Sequence, residues 1–467
     1  MEDTVDKFDI RKHVHESVEC VGAFWNNEKS HWEVKLKDLR TDLEYIRTAS
    51  IFVSAVGAIS FPRDVKFPGM EKFQGPMFHT ARWNHGVSYK NKRVAVIGNG
   101  CSAAQVVPAM AKEAAIVKQY ARSGQWFHDR PNRNYTSLEK LMCRYLPLYQ
   151  RAIRLKIFLD ADEETTTYFP TPKGLKERNK KEIESKEYIR SKVPEKYAEH
   201  IIPSFPLGCK RRIFDPGYLD SLNQGNVELI PEGISKITET GIISTSGIED
   251  DYDIIVLATG FQVSEFLTPM HIVGTHGISL HDQWKECRGA QAYLGTHVHN
   301  FPNLAILFGP NTFPANNSAL FACETQVAFA VKSLFEPILS KRASVIEVKQ
   351  AAEDRSTNAI HHELNNTVFA GDCSNWYIGK FGRNAASWPG LARDFWWATY
   401  TPNWDDFNMS GSSTWWPIFA AKRYLTSLST TTKLLIATGL VTTALGRFDL
   451  YNRQALFSVL KTVARRN

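Results

Sequence analysis

One segment near residue 100 constrains the fold of this chain more than any other. The apolar run Arg93–Ile97 leads into Gly98-Asn99-Gly100, an alanine-rich stretch runs from Ser102 to about Ala114, and a second strand-like run spans Ile116–Tyr120. Such apolar runs are typical of strands buried on both faces of a parallel sheet. The pattern predicts an α/β fold with a right-handed strand–helix–strand crossover, in which Pro108 should kink the helix.

The two glycines between the first strand and the helix indicate a nucleotide-binding turn. Gly98 allows the tight turn, Gly100 lets a pyrophosphate approach the backbone, and Ala103 lets the helix pack closely on the strand. The N–H groups of the first helical turn, from Ser102 onward, then bind the phosphates. A purely structural turn is the alternative, but the complete strand–turn–helix–strand context favours dinucleotide binding.

The end of the second strand indicates which dinucleotide binds. NAD-binding proteins place an Asp or Glu there to accept a ribose hydroxyl. This chain has Tyr120-Ala121-Arg122-Ser123 instead, with Lys118 nearby. A guanidinium suits a 2′-phosphate, so Arg122 favours NADP; a solvated surface arginine is the alternative.

The remainder of the chain continues the α/β pattern around a helical segment. Strands are predicted at Cys20–Phe24, Trp32–Leu36, Ile51–Val56, Val227–Ile230, Ile242–Ser244, Ile254–Ala258 and Leu304–Phe308. Residues 138–200 are charged and favour helix, which predicts a helical insertion, and another long helix is predicted over Ala319–Leu339.

Composition narrows the function class. With 467 residues, 43% apolar and 22% charged, the chain is typical of a globular protein with two or three domains. Its net charge of +7 is modest, and no Lys/Arg run is interleaved with aromatic residues, so nucleic-acid binding is not indicated. None of the seven cysteines forms a CxxC pair, and the sequence predicts no metal site.

A second motif lies directly before the glycine turn. The segment Phe73–Trp83 fits the pattern F-x-G-x-x-x-H-x-x-x-W. It resembles the fingerprint of Baeyer–Villiger flavoprotein monooxygenases, and it stands where that family places it. Asn84 follows, where the family usually has Pro or Asp. On this resemblance His79 is a candidate catalytic residue, with a linking and domain-coupling role expected rather than proton transfer.

The resemblance continues to about Tyr400 and implies further site residues. Lys210 and Arg211 correspond to a cofactor-contacting lysine and the active-site arginine, although a Lys-Arg-Arg cluster by itself is more often a surface patch. The other implied cofactor contacts are Thr259 and Gly260 in an A-T-G turn, with Ser54–Gly57 as its weaker counterpart, Asn317, Ser318 and Ala319 facing the flavin, and Trp376 folding over NADP. A structural tryptophan is the alternative for Trp376.

The family resemblance implies two dinucleotide-binding (Rossmann-like) domains, with a helical insertion in the NADP domain. The expected boundaries are 1–90 for part of the FAD domain and the linker, 91–265 for the NADP domain, 266–402 for the second part of the FAD domain and 403–467 for a tail.

The implied reaction uses FAD, NADPH and O2 to convert a ketone to an ester or lactone, in secondary metabolism for many fungal members. A cation such as Arg211 would stabilise negative charge on oxygen. A related N- or S-oxygenating enzyme and a non-catalytic NADP-binding remnant are the alternatives.

Two regions depart from the resemblance. Family members begin with another strand–GxGxxG–helix unit, and nothing before Phe73 matches it, so we expect the FAD domain to be incomplete. An incomplete reading of the gene, a degenerate protein and a partner that supplies the missing half are the three explanations.

The tail carries the apolar stretch Leu434–Leu445 and the basic, amphipathic stretch Asn452–Arg466. The apolar stretch is short for a spanning helix, which needs about 20 residues. Membrane-surface contact and packing on the core are the alternatives for the tail of an otherwise cytoplasmic protein.

Overall fold

The computed structural model describes residues 2–129, 132–371 and 375–411, and the described residues up to Ser410 belong to one unit. The strands are β1 (Val18–Asn26), β2 (His31–Asp38), β3 (Glu44–Ala49), β4 (Phe52–Ser54), β5 (Met77–His79), β6 (Arg93–Ile97), β7 (Ile116–Tyr120), β8 (Phe127–His128), β9 (Ile213–Phe214), β10 (Val227–Ile230), β11 (Ile234–Ile237), β12 (Gly241–Ser244), β13 (Glu249–Asp251), β14 (Ile254–Leu257), β15 (His271–Val273), β16 (Leu304–Ile306), β17 (Val345–Val348) and β18 (Phe407–Ser410). The helices are α1 (Glu2–Lys7), α2 (Cys101–Met110), α3 (Ser137–Tyr145), α4 (Tyr149–Glu164), α5 (Pro172–Lys192), α6 (Glu195–Ile201), α7 (Tyr218–Ser221), α8 (Leu280–Glu286), α9 (Ala319–Ala330), α10 (Glu336–Leu339), α11 (Gln350–Leu364) and α12 (Ala392–Thr399).

A five-stranded parallel sheet carries the glycine turn. Its order is β10-β7-β6-β14-β5, and every neighbouring pair in it is parallel. The predicted strands β6 and β7 are confirmed at both ends, and helix α2 lies between them with Ala103 and Val107 fully buried. The edge strand β5 brings the Phe73–Trp83 motif into this sheet, so residues before 90 pair with the region 91–265. The α/β class predicted from the sequence is confirmed.

The helical segment between β8 and β9 consists of helices α3 to α6. Helix α5 packs on the sheet domain, because its Ser185 hydroxyl donates to the Phe127 carbonyl at 2.7 Å and its Ile189 is fully buried. Helices cover most of residues 138–200, as the sequence predicts, and the loop 202–212 connects them to strand β9.

A second group of elements holds the flavin-side residues. Strands β1, β2 and β3 form an antiparallel sheet with β15 added in parallel at one edge, and β4 pairs in parallel with β16. Trp32 is fully buried at their junction and donates from its indole nitrogen to the Pro302 carbonyl at 2.9 Å. The predicted long helix is present as α9 and α10, joined by one π-helical turn at Val331–Phe335.

The first residues of the predicted tail belong to this second group. Strand β18 pairs antiparallel with β17, and the Tyr293 hydroxyl donates to Asp406 at 2.7 Å. None of the described helices is both long and apolar enough to cross a bilayer. The apolar and basic stretches of the tail, at 434–445 and 452–466, lie outside the described residues.

A buried ion pair between His299 and Glu353 should make the stability of this second group depend on pH. Their Nδ1 and Oε2 atoms lie 2.9 Å apart, and Glu353 is fully buried. Burial alone lowers the pKa of His299, but the hydrogen bond and charge of Glu353 outweigh it, so the pKa is raised. A histidine whose pKa is raised in the folded protein stabilises the fold fully when the pH is below its ordinary pKa of about 6.5. This stabilisation is lost as the pH rises through the pKa of the folded state.

We therefore expect the free energy of unfolding to fall as the pH rises through the folded-state pKa of His299. Urea unfolding at pH 6 and pH 9 measures it. The variant Glu353→Gln should be less stable throughout and should show a smaller fall; an equal fall in both proteins would contradict the assignment.

Candidate active site

The turn after β6 contains two glycines with different structural roles. Gly98 has φ +126°, and a Cβ there would lie 2.3 Å from the Ala258 carbonyl oxygen at the end of β14. Gly100 precedes α2 as its N-cap without a side-chain cap, and a Cβ there would meet no protein atom within 4 Å. Gly98 is thus required by the protein itself, while Gly100 keeps open space before the N–H groups of α2. That space fits an anionic phosphate, with the half-buried Ser102 in the same helical turn.

Two cations lie together beyond the end of β7. Arg122 is exposed, and its guanidinium makes no hydrogen bond or ion pair with any described residue. Lys210 is half-buried with its amine 4.5 Å from the Phe205 ring centre; burial lowers the pKa of Lys210, and the charge of Arg122 lowers it further. Like charges held together without a carboxylate favour the binding of a dianion such as a phosphate.

Lys118, expected beside Arg122 from the sequence, does not contribute to this pair of cations. Its amine is 2.8 Å from Asp250 and 3.2 Å from Glu228. The two carboxylates belong to strands β13 and β10, which are distant from Lys118 in sequence. The residues around Lys118 therefore do not indicate these ion pairs. The two neighbouring cations beyond β7 without a described carboxylate partner are therefore Arg122 and Lys210.

Arg211 lies between the glycine turn and the flavin-side loops. It is exposed. Burial raises the pKa of the Cys101 thiol at the start of α2 and of the Tyr377 hydroxyl next to Trp376, and the charge of Arg211 opposes both rises. One cation thus acts on residues of both groups of elements.

The neighbouring Arg212 has a different environment, which the sequence does not reveal. Its side chain is only 10% exposed and forms an ion pair with Glu164 at the end of α4. Arg212 also donates to the Asn316 side-chain oxygen, and the Asn316 amide donates back to Glu164 at 3.0 Å. This cluster of Glu164, Arg212 and Asn316 fixes the backbone beside Arg211 between the helical insertion and the loop before α9.

The side chains of Asn317 and Ser318 are engaged within the protein. The Asn317 amide donates to Asp162 at 2.9 Å, and the Ser318 hydroxyl accepts from the Phe321 N–H at 3.3 Å as the N-cap of α9. Asp162 in addition accepts from the Ala392 N–H at 2.9 Å. A cofactor contact at this place would therefore use the backbone at the start of α9, around Ala319, rather than these side chains.

Two buried hydroxyls remain without partners near the expected flavin. The Thr259 and Ser54 side-chain oxygens are buried and have no hydrogen-bond partner among the described residues. Thr259 belongs to the A-T-G turn that follows β14, and Gly260 after it has φ +86° with no protein atom within 4 Å of a Cβ position. Unpaired buried hydroxyls are uncommon in folded proteins, and polar atoms of a ligand commonly complete such groups. These residues fit a dinucleotide.

His79 connects the Phe73–Trp83 motif to the same turn. Its Nδ1 accepts a hydrogen bond from the Ala81 N–H at 3.0 Å, and its ring meets the Phe261 ring edge-on with centres 5.6 Å apart. Burial lowers the pKa of His79, and the Gly260 backbone opposes this only in part, so the ring is neutral at neutral pH. This geometry gives His79 the contacts of a linker between strand β5 and the A-T-G turn.

Trp376 lines a cavity together with Phe261, the residue that follows the A-T-G turn. Its ring centre is 4.0 Å from that of Tyr377 and 5.4 Å from that of Phe313. The cavity of about 470 Å³ is lined by Trp376, Phe261, Arg63 and Lys380 among others. Volumes of this size are typical of sites for small molecules and cofactors.

The chain is similar in sequence to known flavin-dependent monooxygenases. Residues 23–161 match the family described as flavin-binding monooxygenase-like. The chain is 30% identical over 423 residues to the FAD-binding monooxygenase ktnD of Aspergillus niger, covering 88% of this chain and 69% of the relative. It is 31% identical over 395 residues to a Baeyer–Villiger monooxygenase of Pseudomonas aeruginosa, covering 84% and 72%.

Solved structures share the fold. A steroid monooxygenase bound to NADP superposes with a TM-score of 0.73 at 25% identity, covering 87% of this chain and 83% of that one. A cyclohexanone monooxygenase from Rhodococcus sp. Phi1 bound to NADP+ gives 0.74 at 23% identity, covering 88% and 83%. The two-domain arrangement expected from the sequence is therefore confirmed.

Proposed function

Because the chain belongs to the Baeyer–Villiger monooxygenase family, we propose that it inserts one oxygen atom from O2 beside a ketone carbonyl, giving an ester or lactone. FAD and NADP(H) are its cofactors; when bound, they supply the reducing electrons and the activation of oxygen. The residues of this chain bind and orient them, exclude water and stabilise charge.

The observation that carries the proposal is the position of Arg211. Its charge acts on both Cys101 at the nucleotide-binding helix and Tyr377 in the loop beside Trp376. A guanidinium stays ionised when a ligand covers it, because it is too strong a base to lose its proton in a protein. Arg211 can therefore stabilise the negative oxygen that develops as the ketone carbonyl is attacked.

NADPH is held by residues from three parts of the chain. The open space at Gly100 and the N–H groups of α2 receive the pyrophosphate, and Arg122 with Lys210 receives the 2′-phosphate. Trp376 covers the cavity next to the A-T-G turn, where the nicotinamide end and the ketone enter. On the flavin side, the hydroxyls of Thr259 and Ser54 and the backbone at the start of α9 contact FAD.

The reaction is tested directly with the FAD-loaded protein. It is incubated with NADPH, O2 and a panel of cyclic and open-chain ketones, and the products are analysed by mass spectrometry. We expect products that are heavier by one oxygen atom and that hydrolyse to an acid and an alcohol. Oxygenation of amines or sulfides without any ester would contradict the proposal, and so would binding of NADP without any flavin.

Arg122→Ala tests the choice of NADPH over NADH. Removal of the guanidinium should raise KM for NADPH about 10- to 100-fold, roughly 1.4–2.8 kcal/mol, and should leave KM for NADH nearly unchanged. Steady-state oxidation of the two nucleotides measures the ratio. The matched control is Arg93→Ala. Arg93 is also exposed, but it begins strand β6, whereas Arg122 follows the end of the parallel strand β7. If the ratio of the KM values for NADPH and NADH equalled that of the unaltered protein, Arg122 would not contact the 2′-phosphate.

A further inference from the structure

The first two helices of the insertion expose an unusual amount of apolar surface. We call residues Ser137–Glu164, which form α3, α4 and the turn between them, the α3–α4 hairpin. Helix α3 buries no residue, and α4 buries only Asp162. The large apolar side chains that the hairpin exposes are Leu138, Leu141, Tyr145, Leu146, Leu148, Leu155, Ile157 and Leu159. Single exposed apolar residues are normal, but a cluster of this size indicates an interaction surface.

Most of the exposed apolar residues share a helix face with another. Leu138, Leu141 and Tyr145 follow helical spacing along one face of α3, and Leu155 and Leu159 do so on α4. The turn that joins the helices is Leu146-Pro147-Leu148, with Leu148 70% exposed. The hairpin thus presents two apolar helix faces that meet at an apolar tip.

Local polar contacts, rather than core packing, hold α3. The Thr136 hydroxyl accepts from the Glu139 N–H at 3.2 Å, and Glu139 accepts from the Thr136 N–H at 2.8 Å. Arg133 adds an ion pair with Glu139 at 2.6 Å. This capping box starts the helix without burying any of its apolar residues, so the fold itself does not account for them.

The charges of the hairpin are unevenly distributed: residues 137–159 include five basic residues and one acidic residue, whereas the other four carboxylates lie at 160–164, where α4 ends. Two of the hairpin's carboxylates, Glu139 and Asp160, are paired with Arg133 and Lys156, each at 2.6 Å. The exposed side chains of Lys140, Arg144 and Arg151 have no carboxylate partner among the described residues. The apolar faces are therefore bordered by three uncompensated positive charges.

We propose that the α3–α4 hairpin is a docking surface for an anionic lipid bilayer. Leucines and a tyrosine at helical spacing, with lysine and arginine beside them, match helices that lie in the headgroup region. Anionic headgroups neutralise Lys140, Arg144 and Arg151 while Leu146 and Leu148 enter the acyl boundary. A second copy of this chain fits less well, because two hairpins in contact at their tips would bring the basic residues of 137–159 together around an apolar interface.

Vesicle binding by the full-length, FAD-loaded protein tests this surface. Sedimentation with phosphatidylcholine vesicles, with and without phosphatidylserine, gives the partition coefficient. We expect binding that requires phosphatidylserine and weakens with salt. The variant Leu141→Glu/Leu148→Glu should lower the partition coefficient about tenfold or more, and Arg144→Gln/Arg151→Gln should lower it less. Ile248→Glu is the matched control, because Ile248 is 61% exposed far from the hairpin in sequence; it should leave binding unchanged.

Hydrogen exchange of the vesicle-bound protein locates the contact. We expect slower exchange in peptides that cover 137–159 and unchanged exchange in α5. Because the substituted side chains are exposed, the variants should keep the unfolding temperature of the parent, and their NADPH oxidation without vesicles should not change. Undiminished binding by Leu141→Glu/Leu148→Glu, or protection only outside the hairpin, would overturn the proposal. The proposal would also be overturned if the parent protein did not bind vesicles and instead formed a dimer that Leu141→Glu/Leu148→Glu dissociates.

Discussion

Replacement of Arg211 by alanine is expected to abolish ester formation while NADPH still reduces the bound flavin. The two half-reactions should separate, because the groups proposed to bind the phosphates of NADPH, namely Arg122, Lys210 and the backbone N–H groups of α2, remain in place in this variant. Loss of a preorganised charge at a developing oxyanion typically lowers kcat by about 100- to 1,000-fold. Anaerobic stopped-flow reduction and ester yield under oxygen measure the two steps.

Two further variants make the result specific. Arg211→Lys keeps the charge but loses the planar guanidinium, so it should restore a part of ester formation. Arg212→Gln removes the neighbouring arginine from its ion pair with the partly exposed Glu164, and it should reduce stability by roughly 1–3 kcal/mol. If Arg211→Ala formed ester at the normal rate, the role given to this residue would be wrong. A loss of stability in Arg211→Ala equal to that of Arg212→Gln would indicate a structural role instead.

The fold could be predicted best where both faces of a strand are buried. Strands β6 and β7 give continuous apolar runs, and their predicted ends agree with the structure. Strand β3 was not predicted, because none of its residues is buried and its sequence Glu44–Ala49 has no apolar face. The meander β11–β13 was predicted only at β12, because its outer strands are short and largely exposed.

The candidate site could be predicted as far as its chemistry is local. Gly98, Gly100 and Ala103 follow one another, so their spacing alone indicates the nucleotide turn. The partners of Lys118 and Arg212 lie far away in sequence, as with Glu164, 48 residues before Arg212. A sequence therefore shows that a Lys-Arg-Arg cluster exists, but only the fold separates the exposed Arg211 from the ion-paired Arg212.

A matched pair of glycine variants should separate folding from NADP binding. In Gly98→Ala, the new Cβ would lie 2.3 Å from the Ala258 carbonyl oxygen, at a φ of +126° that is unfavourable for any residue with a side chain. We expect a loss of about 3 kcal/mol or more in the free energy of unfolding, since backbone strain and overpacking each cost about 1–3 kcal/mol. Urea unfolding in the absence of nucleotide measures this loss.

Gly100→Ala should have the opposite profile. Gly100 has φ −80°, which alanine adopts freely, and the added methyl group meets no protein atom within 4 Å. The stability should therefore fall by no more than about 1 kcal/mol, the usual cost of alanine at a helix N-cap. The methyl group nevertheless occupies the space in front of α2 where the pyrophosphate must approach the backbone, so Kd for NADP should rise about 10- to 100-fold, roughly 1.4–2.8 kcal/mol. Calorimetric titration measures Kd, and unchanged affinity in a stable Gly100→Ala protein would mean that the phosphates bind elsewhere.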